Sequence, residues 1–68
     1  MERDITNDTL GVNIKRLRKE KGMTQDEVAK AVYTTRYNIL RYESGKMTPS
    51  SEVIERLEKA LGVPTGSL

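Results

Sequence analysis

Gly22, Gly45, Pro49, Gly62 and Pro64 divide this chain into short segments. Glycine enters the left-handed backbone region that stops a helix, and proline cannot continue one. A chain cut this way folds as several short elements, and the apolar spacing decides which kind. Leu10, Ile14 and Leu17 recur at i, i+4 and i+7, one face of a helix. Val53, Ile54, Leu57, Ala60 and Leu61 make a wider stripe of the same period. Each segment shows helical rather than alternating periodicity. The expected fold is all-α, a compact bundle of four to five short helices.

The boundaries follow from capping chemistry. The first helix is expected over about Leu10 to Lys21, capped by Thr9 or Asp8 and stopped by Gly22. Lys19 and Lys21 sit at its end, where cations favour the helix dipole. Thr24-Gln25-Asp26-Glu27 is a capping box that opens a second helix, with Val28, Ala29 and Val32 facing inward. That helix stops near Val32, because Tyr33-Thr34-Thr35 is poor helix material. Thr35 caps a third, about Arg36 to Ser44, with Ile39, Tyr42 and Glu43 inward and Arg36, Tyr37, Leu40, Arg41 and Ser44 outward. Ser50 caps a fourth, ended by Gly62, and Thr65 or Ser67 is placed to cap the start of a fifth. Residues 1–9 read as a polar N-terminal arm and 10–68 as one domain.

Composition excludes most chemistry. Sixty-eight residues make one small domain, and the chain has no cysteine and no histidine. Disulfides, the commonest metal ligand and the commonest general base are therefore missing. There is no glycine-rich phosphate loop, so an enzyme is not expected, nor a cofactor or metal. No apolar run approaches a membrane span and no secretory leader is present, which fits a cytoplasmic protein. Net charge is only +2, but the basic excess lies early: residues 1–22 carry six basic and four acidic groups, and 47–68 carry two and three.

Two short helices joined by about three residues, the second with a basic outer face, follow the helix-turn-helix plan. A helix that enters the major groove needs an apolar back and a polar front. Ile39 and Tyr42 supply the back; Arg36, Tyr37, Leu40 and Arg41 supply the front. Arg36 and Arg41 are read as base contacts, since a guanidinium forks onto guanine, with a phosphate contact as the alternative. Tyr37 is placed to meet a thymine methyl or a phosphate, and Leu40 is an outward apolar residue on the same face. Asn38 and Lys46 are assigned to backbone positioning, and Thr35 is a cap first and a contact second. Arg18 and Glu43 each lie at the edge of an apolar stripe, and two charges so placed call for each other.

These residues also carry a family resemblance. Ile14-Lys15-Arg16-Leu17-Arg18, Gly22 through Ala29, Ile39 through Lys46, and Pro49-Ser50 through Ala60-Leu61-Gly62-Val63 resemble the lambda/434 repressor–Cro-like (Xre-type) helix-turn-helix family. The resemblance runs from Leu10 to Val63. It implies an operator-binding bundle that often acts as a dimer, here a weak homodimer through the C-terminal part, Pro64 to Leu68. It implies that Gln25 touches a phosphate and braces the third helix, and that Arg18 and Glu43 form an ion pair. A transcriptional regulator, repressor-like, that binds double-stranded DNA is the leading expectation. The alternatives are the antitoxin of a toxin–antitoxin pair and a protein-interaction bundle, either of which adds a protein partner; a further domain is also compatible. Two positions depart from the family pattern. Tyr33 stands where glycine is common in the turn, and Thr34 where a small apolar residue is common. Tyr33 is expected to be left-handed, its ring packed on neighbours near the DNA-facing edge; the alternative is an exposed ring with ordinary negative φ.

Overall fold

The computed structural model describes residues 7–68, which form α1 (Asn7–Glu20), α2 (Gln25–Ala31), α3 (Arg36–Glu43) and α4 (Ser51–Leu61). Among the described residues there is no strand. Three helices open on the caps that the sequence indicates. The Thr24 hydroxyl accepts the Glu27 N–H at 3.1 Å, and the Glu27 carboxylate accepts the Thr24 N–H at 2.8 Å. The Thr35 hydroxyl accepts from the Asn38 N–H and the Ser50 hydroxyl from the Val53 N–H. These bonds satisfy donors that have no partner within the helix.

α1 departs from expectation at its start. It begins at Asn7, three residues before Leu10, so Asp8 and Thr9 lie inside its first turn and not ahead of it. Polar residues extend a helix without adding to its apolar stripe, so the apolar spacing does not register them. Of the expected arm over 1–9, residues 1–6 lie outside the described residues.

All four helices end on a left-handed residue: Gly22 (φ 73°), Tyr33 (62°), Gly45 (78°) and Gly62 (73°). In each case two successive N–H groups turn back onto last-turn carbonyls. Gly22 and Met23 donate to Lys19 and Arg18, and Tyr33 and Thr34 to Lys30 and Ala29. Gly45 and Lys46 donate to Tyr42 and Arg41, and Gly62 and Val63 to Lys59 and Glu58. This is the Schellman arrangement, which uses carbonyls left over at a helix end. Glycine fills three of the four left-handed positions at no steric cost, and Tyr33 fills the one between α2 and α3.

The core takes Ile14 from α1, Val28 and Ala29 from α2 with Val32 just beyond, Ile39 and Tyr42 from α3, and Leu57 and Leu61 from α4. α1 lies tight against the end of α3 at Gly11. A Cβ there would overlap the Tyr42 carbonyl oxygen and lie 2.7 Å from that of Glu43. After α4 the chain makes a turn at Thr65–Gly66, and no fifth helix forms among the described residues. That segment is held from below by Glu58, which is only 2% exposed. One Glu58 carboxylate oxygen accepts the N–H of Gly66 at 2.9 Å and of Leu68 at 3.1 Å. Leu68 packs against the core. The apolar stripe read from α4 did not include Glu58, because an apolar pattern has no place for a buried carboxylate.

Candidate nucleic-acid interface

The interface is built on α3, and α3 is fixed by one charge cluster. Arg18 Nε donates to Glu43 Oε2 at 2.6 Å, and Arg18 Nη2 donates to Oε1 at 3.1 Å. The pair is a two-point fork with side chains 10% and 4% exposed. The third donor group, Arg18 Nη1, reaches the Met23 carbonyl at 3.0 Å. Gln25 Nε2 donates to the same Glu43 Oε1 at 3.1 Å. One carboxylate near the end of α3 is thus held by the last turn of α1 and the first residue of α2. Burying a charge costs several kcal/mol unless its lone pairs are used, and here three donors use them. Among the described residues no buried side-chain nitrogen or oxygen lacks a hydrogen-bond partner.

The turn from α2 to α3 runs from Val32 to Thr35. Its departures from the family pattern have separate structural accounts. Tyr33 is left-handed, but the residue is 81% exposed. The ring does not pack into a nest of neighbours as expected. It meets the Arg56 guanidinium of α4, whose carbon lies 5.2 Å from the ring centroid. Arg56 in turn bonds Glu52 at 2.8 Å, one turn earlier. Thr34 uses the hydroxyl that a small apolar residue would lack: it accepts from Asn38 Nδ2 at 2.7 Å. Asn38 is therefore turned back toward the turn and half-buried, with its amide braced rather than extended outward.

The outer face of α3 carries Arg36, Tyr37 and Leu40, all exposed, and Arg41, half-buried. Arg36 borders a shallow depression that it shares with Thr24, Gln25 and Asp26 at the start of α2. Arg41 Nη1 donates to the Tyr37 hydroxyl oxygen at 3.2 Å, and its guanidinium carbon lies 5.5 Å from the ring centroid. Lys46 is exposed just past α3. The structure brings Gln25 and Arg36 to one edge and Tyr37 with Arg41 onto one side. It does not leave Thr35 or Asn38 free, since the Thr35 hydroxyl caps α3 and the Asn38 side chain is bonded to Thr34.

A helix-turn-helix family model matches residues 14–68, most of the chain. The chain belongs to the helix-turn-helix family, of the Xre/Cro type. Its members are DNA-binding transcription regulators and not enzymes. The cryptic phage CTXphi transcriptional repressor RstR of Vibrio cholerae is 38% identical over 55 residues, covering 81% of this chain and 50% of RstR. Multiprotein-bridging factor 1 of Candida albicans is 38% identical over 55 residues, covering 81% of this chain and 36% of that protein. The chain thus spans about half of one relative and about a third of the other. The crystal structure of the clp gene regulator ClgR from Corynebacterium glutamicum superposes with a TM-score of 0.86 at 26% identity, covering 94% of this chain and 68% of that one. Among the described residues no helix is long and apolar enough to cross a membrane.

Proposed function

We propose that this helix-turn-helix chain binds double-stranded DNA at a specific operator and regulates transcription, with α3 lying in the major groove. The observation that carries this is the outer face of α3. It presents Arg36, Tyr37, Leu40 and Arg41 while Ile39 and Tyr42 hold its back in the core. A helix held in this way offers guanidinium forks to base edges at fixed positions. Arg36 and Arg41 read bases, with Tyr37 and Leu40 flanking them. Gln25 and Lys46 set the register on the phosphate backbone, joined by the Thr35 hydroxyl hydrogen and the second Asn38 amide hydrogen, which their internal bonds leave over. Two copies bind half-sites about one helical turn apart, paired weakly through the C-terminal segment after α4. The likeness to a phage repressor supports the repressor-like form of this reading.

Selection of bound duplexes from a random-sequence pool tests it. The expected result is a palindromic motif whose binding weakens steeply with salt, because phosphate contacts release counterions. Recovery of no motif, with binding indifferent to salt, would contradict it. The likeness to multiprotein-bridging factor 1 favours a second reading, in which the bundle binds protein instead of DNA. The same experiment separates the two, since a bridging bundle enriches no duplex.

A further inference from the structure

Tyr37 and Arg41 lie one turn apart on the outer face of α3, and they already touch. The Arg41 guanidinium donates from Nη1 to the Tyr37 hydroxyl at 3.2 Å while lying 5.5 Å from its ring centroid. We propose that Tyr37 is a positioning residue for Arg41, so that the two present one preformed reading unit to the DNA. This rests on the reading of α3 as the DNA-facing helix.

The argument is one of entropy and of remaining donors. A free arginine side chain has many rotamers, and fixing one on binding opposes affinity. Here the fixing is done within the protein before DNA arrives. Arg41 is half-buried although it lies on the outward side, which fits a side chain laid along its neighbour. Tyr37 is 63% exposed, so it anchors Arg41 without being buried itself. The bond uses one hydrogen of Nη1. The other Nη1 hydrogen, both on Nη2 and the one on Nε stay available for a fork onto a base. The Arg36 side chain, at the other end of the helix, makes no hydrogen bond to another described residue and lacks such an anchor.

The test uses Tyr37→Phe, which keeps the ring and removes the hydroxyl, in the full chain. The first measurement is nitrogen relaxation at Arg41 Nε in the free protein. It is expected to be ordered in the parent and mobile in Y37F; equal mobility in both overturns the proposal without reference to DNA. The second is binding of the pool-selected duplex and of its single-base variants. Y37F is expected to lose about 2- to 10-fold in affinity. Its relaxed preference is expected at the same base pair that R41A relaxes, with the salt slope unchanged. In the Arg41→Ala background the added Tyr37→Phe change is expected to do nothing. Additive losses, or a Y37F loss that is uniform across sequences with a shallower salt slope, would make Tyr37 an independent contact and overturn the pairing. If the parent selects no duplex while Arg41 is ordered as expected, the DNA reading fails, and the reading unit fails with it.

Discussion

Glu43 shows how much one residue decides. Its carboxylate is nearly enclosed and is met by two Arg18 groups and by Gln25. Removing Arg18 leaves that charge buried with a single neutral donor. Arg18→Met is expected to destabilise by about 3 kcal/mol or more. Adding Glu43→Gln removes the stranded charge and is expected to recover part of the loss. Urea unfolding of the two single variants and the double variant measures the coupling, and simple additivity would count against the cluster. Tyr33 is the opposite case, a residue that local geometry disfavours. A bulky side chain at φ 62° carries strain, and a residue 81% exposed gains little from packing. Its one aromatic contact, with Arg56, is an exposed cation–π pair worth about 0.5–1 kcal/mol. Tyr33→Gly removes strain and adds freedom to the unfolded chain. The change is expected to be neutral or to stabilise by up to about 1 kcal/mol on the scale of left-handed strain. A loss above that in thermal or urea unfolding would mean that the Arg56 contact outweighs the strain. The left-handed turn was legible through the family resemblance, which puts glycine at this position. The Arg56 contact was not, because it joins positions 23 residues apart in sequence through an exposed, long side chain.

At the scale of elements, the starts of α2, α3 and α4 and the ends of all four helices lie at or within a residue or so of where capping chemistry puts them. Those signals are local: a hydroxyl three residues before the N–H it accepts, or a residue that tolerates positive φ. What lay beyond a local reading is how the elements meet. The apolar spacing says nothing of Gly11, yet it is the place where α1 presses onto the last carbonyls of α3. Gly11→Ala improves helix propensity by up to about 1 kcal/mol. The new methyl, however, meets backbone oxygens that cannot rotate away. The cost of such overpacking is about 1–3 kcal/mol and occasionally more. A net loss of stability is therefore expected, and a stabilised G11A in urea would show that the two helices part easily. The Arg18–Glu43 pair was legible because each residue sat on the rim of its own apolar stripe. Gln25 as a third member was visible only through family resemblance, and its bond to Glu43 is a fact of tertiary packing.

For the molecule as a whole, the C-terminal segment is the part whose behaviour the sequence conceals most. Glu58 lies among the apolar positions of α4, and nothing local says that its carboxylate turns toward residues 66 and 68. Once placed, it accounts for how the segment after α4 brings Leu68 back against the core without being a helix. Glu58→Ala is expected to free this segment. Hydrogen exchange at the Gly66 and Leu68 amides should speed up by well over an order of magnitude, while the core amides of Ile14 and Leu57 slow or quicken only with global stability. Unchanged exchange at Gly66 and Leu68 would mean that Leu68 packing alone holds the segment. This bears on assembly, since the same segment is proposed to pair two copies on DNA.

The central claim is that α3 reads base edges from a braced platform, and Arg36 tests it most directly. It is exposed at the start of α3 and its side chain makes no hydrogen bond or salt bridge among the described residues, so its removal is expected to leave the fold intact. The measurement is the affinity of the parent chain and of Arg36→Ala for the selected duplex and for every single-base variant of it, at fixed salt. The account predicts a loss of about 1–3 kcal/mol on the best duplex, with preference relaxed at one or two base pairs and kept elsewhere. If R36A kept the parent's full sequence preference and weakened all duplexes alike, Arg36 would be a phosphate contact. If Arg41→Ala behaved in the same way, α3 would not be the helix that reads the sequence.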